Sequence, residues 1–477
     1  MGDSIDRKKA FVGIQLNPTS FQDEGVPEVL DTVVERGAVN TIMVSAICWS
    51  YGLGGRAKPG NRLADHGSQE YLNDFHGGNF ATTHPEYYTQ TALGPLTKSP
   101  HYGDWDVLEA MLPETSKRDL ETYVIVEESS VMPAFHKLPN YAKCTEIDIW
   151  GRPSSKGCLN NPDYRNYQLS VVEDLTKSYP INGLMWLCER VGPLNTMLQE
   201  PLFEDIWTGF YLPSGKPGCF CQHCQKQARD KGIDPEAARR GLLELAEWNR
   251  RVAAGDIPRD GAFVTAWRIF LRFPEVLAWQ QLWLDKYWGI HKEVYGSVKV
   301  ARPDIQVGFP THPGVGFSPF FRADTDYEQI ADFADFVRLS AYNFASGPRF
   351  ENWLKGMGRS LWADLDGDTR YRMAGGMLGS ELPKQDDMQA GWPSSFVGGE
   401  VRRAMAASKG NLACYSGIDI DIPSGKKPSS ATPEGVHDAV LNAFQAGAPG
   451  VILARKYSEM MLANLSGAGR ALRSIFN

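Results

Sequence analysis

Eight short apolar runs recur along the 477-residue chain, and each is followed by polar residues. Segments with helical periodicity separate many of them. Continuous apolar strands are typical of a parallel sheet that is buried on both faces. Eight such strands alternating with helices predict an α/β fold, a (β/α)8 barrel. The runs are AFVGIQLNP (10–18), VNTIMVSAICW (39–49), LETYVIVEESS (120–130), INGLMWLCER (181–190), IQVGFPTHP (305–313), DFVRLSAYNF (335–344), NLACYSGIDID (411–421) and GVILARKYSEM (450–460).

Three connections are too long to be simple loops: 50–119 after strand two, 190–273 after strand four and 345–400 after strand six. All three follow the carboxyl ends of strands, the face on which barrels of this kind carry their active sites. We therefore expect one elaborated domain over residues 1–477, with long insertions that wall a pocket. The segment RSLWADLDGD (359–368) also has a strand-like pattern, but we place it in the third insertion because a helical pattern over 398–409 directly precedes strand seven.

Composition and charge exclude several classes of partner. The net charge is −8 and no basic run interleaves with aromatic residues, so we expect no nucleic-acid binding. The start, MGDSIDRKKAFVGIQLN, has no apolar signal-peptide core after its charged residues, and no later stretch has eighteen uninterrupted apolar residues. We therefore expect a cytoplasmic protein without a membrane partner, although a signal peptide that had been removed would leave no trace. The chain is 11% aromatic, with 13 Trp and 18 Tyr. Such residues belong mostly to the core, but aromatic rings also stack on sugars.

Polar and charged side chains fall at the ends of the predicted strands, and burying so many charges without a ligand would be costly. Their concentration predicts a polar substrate with many hydroxyl groups. A further loop, HGGNFATTHPEYY (76–88), is either a substrate-binding loop or a self-packed surface loop. The predicted substrate-binding residues are Asn17, Trp49, His84, Glu127, Arg190, His312, Tyr342, Asn343, Arg455 and Lys456, and Gln15, Glu128 and Glu459 occupy comparable positions.

Two carboxyl groups suffice to cleave a glycosidic bond: one protonates the leaving oxygen, and the other attacks the anomeric carbon or activates water. Glu189 ends an apolar strand beside Trp186 and Cys188, where desolvation would raise its pKa and suit it to the first role, unless Arg190 points the same way. Asp419 or Asp421 is the candidate for the second role. The two aspartates alternate with isoleucines, so their side chains point to the same side of the strand.

The stretch CFCQHC places Cys219, Cys221 and Cys224 at C-x-C-x-x-C spacing. Three thiolates at this spacing suit tetrahedral zinc, which needs one more ligand. Cys158 is the predicted fourth ligand because it lies in the loop after strand three, next to the strand-four loop that carries the cluster. A site closed by four cysteines would be structural and would pin that loop. Free thiols are the alternative, and we expect no organic cofactor.

The chain resembles the barrel glycoside hydrolases of clan A. Its cysteine spacing is similar to the zinc cluster of family 42 β-galactosidases. A closer likeness to uncharacterised bacterial glycoside-hydrolase-like barrels rests on CLNNPDYRNY (158–167), GLMWLCERVGPL (183–194), CFCQHC and GAPGVILARKYSEM (447–460). The resemblance implies an acid/base at Glu189 and a nucleophile at Asp419 or Asp421. Cys188 stands where the clan has asparagine, and strand seven offers aspartate in place of glutamate.

We therefore predict a hydrolase of carbohydrate metabolism, a glycosidase that acts on a small glycoside or oligosaccharide. Two alternatives remain open at this stage. One is a sugar lyase or isomerase on the same barrel, which commonly recruits a metal with oxygen and imidazole ligands near the pocket. The other is a carbohydrate-binding barrel without catalysis, which needs the aromatic residues but not the paired carboxylates. Self-association into a homo-oligomer is compatible with each of them.

Overall fold

The computed structural model describes residues 10–48, 61–72, 77–95, 97–128, 138–199, 217–379, 382, 385–424 and 428–476. All eight predicted strands are present in it. They form a closed parallel barrel in which the first strand pairs with both the second and the last. The barrel strands are β1 (Phe11–Leu16), β2 (Thr41–Cys48), β4 (Glu121–Glu127), β7 (Gly183–Leu187), β8 (Gln306–Pro310), β9 (Phe336–Leu339), β10 (Ala413–Asp419) and β11 (Gly450–Ala454).

Helices surround the barrel and fill the insertions. Among the helices that the structure describes, none is both long and apolar enough to cross a membrane. The helices are α1 (Pro18–Glu24), α2 (Val26–Gly37), α3 (Val107–Lys117), α4 (Pro162–Ser178), α5 (Pro193–Gln199), α6 (Gln222–Asp230), α7 (Pro235–Ala253), α8 (Ala262–Arg272), α9 (Glu275–Ala301), α10 (Pro319–Ala323), α11 (Tyr327–Ile330), α12 (Asn343–Met357), α13 (Gly367–Leu378), α14 (Ser395–Ala407), α15 (Pro433–Gln445) and α16 (Leu462–Phe476).

Aromatic rings close the amino end of the barrel. The ring of Phe11 stacks on that of Tyr415 with centroids 4.2 Å apart, and Tyr123 packs edge-on against Phe11 at 5.3 Å. Gly183 makes room for Tyr123, because a Cβ atom at residue 183 would lie 2.3 Å from the tyrosine ring. This apolar plug leaves the opposite end, where the strands finish on polar residues, as the open face of the barrel.

Within the described residues, three short strands lie outside the barrel. β3 (Gly78–Asn79) pairs antiparallel with the end of β2. β5 (Thr145–Ile147) and β6 (Pro153–Gly157) form a hairpin between β4 and α4. The segment 359–368 forms turns that lead into α13 and is not a barrel strand, as predicted.

Candidate functional site

Arg338 lies at the centre of the barrel's open end and connects two strands that are distant in sequence. It belongs to β9, and its side chain is 2% exposed. Its Nη1 donates to Oε1 of Gln15 on β1 at 3.1 Å, and its Nη2 lies 3.3 Å from Oε1 of Glu189, just after β7. The ring of Tyr342 lies 5.7 Å from the guanidinium carbon. Arg338 is therefore an ionic partner of Glu189 that the sequence did not predict.

Asp419 ends β10 and is fully buried. Its Oδ2 accepts from the backbone N–H of Ala345 at 2.7 Å, and its Oδ1 accepts from that of Ile422 at 3.1 Å. Burial raises the pKa of Asp419 to about 7, against the lowering effect of these hydrogen bonds. The carboxylates of Asp419 and Glu189 both interact electrostatically with Arg349 on α12. Asp419 ends β10 and Glu189 directly follows the end of β7, so both predicted carboxyl groups stand at the carboxyl ends of barrel strands.

Asp421, two residues further along, has different partners. Its Oδ2 accepts from the backbone N–H of Met461 at 2.8 Å, and both oxygens accept from Nδ2 of Asn464, at 3.0 and 2.9 Å. These contacts join the backbone just before α16 and a side chain in its first turn, so Asp421 holds the start of this helix. Asp419 and Asp421, at the end of β10, therefore have different roles: Asp419 accepts from Ala345 and Ile422, whereas Asp421 binds the start of α16.

The end of β11 supplies a compact ionic group. Arg455 donates to Glu459 through Nη2 at 2.7 Å and through Nε at 3.2 Å, and Lys456 Nζ lies 3.1 Å from the same carboxylate. Burial, reinforced by the charge of Arg455, lowers the pKa of Lys456 to about 7. The side chain of Arg455 also interacts electrostatically with Glu189 and Tyr342. Glu189, Tyr342 and Arg455 thus follow the ends of β7, β9 and β11, three strands that end on the same face of the barrel.

Arg190 turns away from Glu189 and binds Glu128. Its Nε donates to Oε2 of Glu128 at 3.0 Å, its Nη2 donates to Oε1, and its Nη1 donates to the carbonyl of Gly157 at 2.6 Å. Tyr164 donates its hydroxyl to Oε1 of Glu128 at 2.6 Å. Arg190 is therefore buried and bound to Glu128, just after β4. Its guanidinium is engaged in these contacts and does not point freely into the site as a substrate-binding cation would.

Cys188, on the other side of Glu189, is anchored as well. Its Sγ donates to Oε2 of Glu128 at 3.2 Å, and its carbonyl accepts from the hydroxyl of Tyr287 at 2.6 Å. Glu189 thus sits between two residues that are fixed by buried contacts. Fixed neighbours limit how far its carboxylate can move, which a catalytic or binding group requires.

Three further predicted residues, Asn17, Asn343 and Glu127, are buried. Asn17 is fully buried, and its Nδ2 donates to Ser458 at 2.7 Å. Asn343 begins α12, and its Nδ2 donates to the Trp392 carbonyl at 3.3 Å. Glu127 is buried at the end of β4, and its charge contributes, after burial, to raising the pKa of the nearby Cys48 thiol.

His312 and His84 differ from the strand-end group. His312 stacks on Phe321 with ring centroids 4.1 Å apart, and burial lowers its pKa to about 3, so the ring is neutral. His84 lies against α4, where its Nδ1 is 2.7 Å from Oδ1 of Asp174. It is therefore not brought together with the residues at the barrel's open end. Trp49 lies outside the described residues.

Four cysteines form a second centre beside the barrel. The Sγ atoms of Cys158, Cys219, Cys221 and Cys224 all lie within 4.8 Å of one another, with Cys158 3.5 Å from both Cys221 and Cys224. A tetrahedral zinc thiolate site has sulfur–sulfur edges of about 3.8 Å, since each bond is about 2.3 Å long. The four sulfur atoms are thus placed to hold one metal ion, and Cys158 is the fourth member of the set.

Backbone and side-chain donors surround these sulfur atoms. The N–H groups of Ile147 and Asn160 lie 3.4 Å from the Sγ atoms of Cys219 and Cys158. Lys286 on α9, which is buried, has its Nζ 3.7 Å from Cys224 Sγ. N–H donors and a buried ammonium stabilise negative charge on sulfur, as a metal-bound thiolate requires.

The cluster joins two segments of chain. The carbonyl of Ile147 in the β5–β6 hairpin accepts from the N–H of Phe220 at 2.7 Å, and Asp148 forms an isolated β-bridge with Gly218. Cys158 directly follows the hairpin, whereas the other three cysteines lie within the long loop after β7, just before and at the start of α6. The hairpin and that loop are therefore held together at the cluster.

Comparisons with known proteins agree on the fold. No protein-family model and no curated protein sequence matches the chain. The β-galactosidase of the psychrophilic Marinomonas ef1 is similar in structure, with a TM-score of 0.53 at 10% identity over 98% of this chain and 62% of that one. The β-galactosidase of the Antarctic haloarchaeon Halorubrum lacusprofundi has a TM-score of 0.52 at 12% identity over 98% and 58%.

A third β-galactosidase, from Rahnella sp. R3, has a TM-score of 0.50 at 14% identity and is covered over 55% of its length. The chain thus spans little more than half the length of these enzymes. Identities this low establish a shared fold and leave the activity to be argued from the site. The chain therefore shares a (β/α)8 barrel fold with these proteins, as predicted from its sequence.

Proposed function

We propose that this chain is a glycoside hydrolase that acts on a small glycoside or oligosaccharide, with Glu189 and Asp419 as its pair of carboxyl groups. The observation that carries the proposal is that both groups stand at the carboxyl ends of barrel strands, where Glu189 pairs with the buried Arg338 and Asp419 is itself fully buried. The barrel fold and the surrounding Tyr342 and Arg455 support it, because they supply the hydrogen-bonding groups that a sugar needs. Asp421 is set aside because its oxygens are engaged at the start of α16.

The division of roles follows from the charges. Arg338, 3.3 Å from Glu189, is a partner for an ionised carboxylate. Asp419, whose pKa burial raises to about 7, is about half protonated at neutral pH and so still carries a proton that it can donate. We therefore assign the proton donor to Asp419 and the attacking or water-activating carboxylate to Glu189. This is the reverse of the roles predicted from strand order and from the clan resemblance.

Leaving-group dependence tests both the activity and this division. A screen of aryl glycosides and oligosaccharides identifies a substrate first. Asp419→Asn should then slow hydrolysis of unactivated substrates by roughly 10²–10⁴, the usual contribution of a general acid, and slow dinitrophenyl glycosides far less. Glu189→Gln should impair both kinds of substrate alike. Asp421→Asn, from the same strand, is the matched control and should show no leaving-group dependence.

In the opposite pattern, Glu189→Gln would hydrolyse dinitrophenyl glycosides well and unactivated substrates poorly. That result would assign the proton donor to Glu189. Full activity of both variants on unactivated glycosides would contradict the carboxyl pair altogether.

One observation favours a second function, a carbohydrate-binding barrel without catalysis. Asp419 is fully buried and both of its oxygens accept backbone N–H groups, an arrangement that serves structure as well as chemistry. Calorimetric titration with oligosaccharides separates the two functions. Saturable binding without release of product over long incubation would support the binding function and contradict hydrolysis.

We also propose that the cysteine cluster binds zinc in a structural role. Four thiolates leave no open coordination position for a substrate, and soft sulfur ligands favour zinc over harder divalent ions. The cluster would then hold the strand-four loop against the β5–β6 hairpin, next to the residues that flank Glu189.

A further inference from the structure

Helix α8 in the insertion after strand four exposes an unusual number of large apolar side chains. Phe263 is 52% exposed, Trp267 49% and Leu271 69%, and Val264 beside them is 44% exposed. The inner face of the same helix is also apolar and is buried through Ala262, Ala266, Ile269 and Phe270. A surface helix normally carries polar residues on its outer face. A helix that is apolar on both faces indicates a second packing partner.

The exposed residues form a ridge. Phe263, Trp267 and Leu271 are spaced four residues apart, so they lie one above the other along the helix. The rings of Phe263 and Trp267 are nearly parallel, at 8°, with centroids 6.3 Å apart. Ridges of residues four apart are those that interdigitate in the commonest class of helix–helix packing. The geometry therefore fits another helix better than a flat or extended ligand.

The charges beside the ridge are already neutralised. Arg268 Nη1 lies 2.6 Å from Oδ2 of Asp260, and Arg272 is paired with Glu244. A strongly charged partner could form an ion pair here only by breaking the Arg268–Asp260 or the Arg272–Glu244 pair, so the surface does not favour such a partner. Because the whole chain carries a net charge of −8, two copies meet at lowest electrostatic cost through a neutral apolar surface.

The exposed area is of the size that a stable contact between two copies needs. Half-exposed aromatic side chains present about 100 Å² each, and with Val264 and Leu271 the ridge offers on the order of 350 Å² of apolar surface. One side of a standard interface buries about 800 Å², of which a little over half is apolar. The ridge thus supplies most of the apolar part of one side.

We propose that α8 is the contact between two copies of this chain, related by a two-fold axis that passes near Trp267. In an antiparallel pair, Phe263 of one copy packs on Leu271 of the other, and the two Trp267 side chains meet at the centre. Such a self-complementary contact closes as a dimer. A central tryptophan is the kind of residue that dominates binding energy.

Sedimentation velocity over a wide concentration series tests the contact. The wild-type chain should be a dimer. Leu271→Glu should weaken the dimer more than about tenfold, because it places a charge against the apolar ring of Phe263 from the other copy. Val300→Glu is the matched control, because Val300 on α9 is 89% exposed and the change in size and charge is similar. It should leave the dimer unchanged, and far-UV circular dichroism should confirm that both variants fold.

Cross-linking locates the axis. A variant with both Phe263→Cys and Leu271→Cys keeps Trp267 and should form a disulfide-linked dimer on mild oxidation, because the two positions face each other across the axis, whereas Val300→Cys should not. A wild-type monomer at all concentrations would overturn the proposal, and so would a Leu271→Glu variant that dimerises like the wild type. A monomeric chain that binds polysaccharide or lipid vesicles through Trp267 and Leu271 would also overturn it and assign the ridge to that ligand.

Discussion

Replacing Glu128 by glutamine is the most direct test of how the end of β7 is held. Glu128 and Arg190 are 0% and 5% exposed, and two hydrogen bonds join them. Tyr164 and Cys188 donate to the same carboxylate. The substitution keeps the size of the side chain, removes its charge and places an amide donor against a partner that can only donate. Arg190 is then left buried without its main counter-ion.

The expected cost follows from that geometry. Removing one partner of a buried ion pair typically lowers the free energy of unfolding by about 3–5 kcal/mol, because the remaining charge is left uncompensated. Arg190 keeps its bond to the Gly157 carbonyl and a 3.4 Å contact with Glu146, so we expect about 3 kcal/mol. Adding Arg190→Met to Glu128→Gln should recover part of the loss, since the double variant carries no unpaired charge.

Equilibrium urea denaturation, followed by tryptophan fluorescence and circular dichroism with coincident transitions, measures the change. Glu247→Gln is the control, because it removes the same charge from the exposed pair with Arg250 and should leave stability unchanged. A Glu128→Gln variant as stable as this control would refute the argument. So would a double variant whose loss equals the sum of the two single losses, since the residues would then be uncoupled.

Three further predictions concern the metal and the protonation of the site. Purified protein should contain about one zinc per chain by elemental analysis, and a metal-free preparation in which all four cluster cysteines are readily alkylated would contradict the zinc proposal. Lys286→Met should speed the loss of metal to a chelator, because it removes the buried ammonium beside Cys224, and an unchanged release rate would argue against this role. Burial raises the pKa of Asp419 from 3.8 to about 7, so the folded chain holds its proton more tightly than the unfolded chain. The stabilising contribution is then present at acid pH and lost as pH rises through 7, and the stability of the wild type relative to Asp419→Asn should fall by roughly 3–4 kcal/mol between about pH 4 and pH 8. A difference that does not vary with pH in urea titrations would contradict the raised pKa.

The barrel could be predicted from the sequence because its strands are encoded locally. Buried parallel strands appear as continuous apolar runs, and β1, β2 and β10 fall within theirs. The β5–β6 hairpin was missed, because PSSKG in β6 is short and polar and gives no such signal. It is held largely by contacts from distant segments, such as the bond from Phe220 to Ile147.

The side-chain partners in the site were harder to predict than its location. Glu189 and Asp419 were placed correctly at the ends of their strands, but the partner of Glu189 depends on how β7 and β9 are arranged around the barrel. Arg338 stands alone in the apolar sequence FVRL. A single charge inside a predicted buried strand is the signal that could have identified it, because such a charge requires a counter-ion.

Glu189, at the end of the apolar strand β7, is held in place by the contacts of Arg190, the residue that follows it. Arg190 reaches Glu146, and Glu146 lies 3.5 Å from Lys286, whose ammonium contacts the cysteine cluster. Charges of alternating sign thus run from the cluster through the β5–β6 hairpin to the residue after Glu189. Each buried charge in the series has a partner of opposite sign on both sides, which reduces the cost of burying it. The cluster and the carboxylate are therefore parts of one electrostatic arrangement, in which an ion held by the cysteines would fix the far end of the series that orients Glu189.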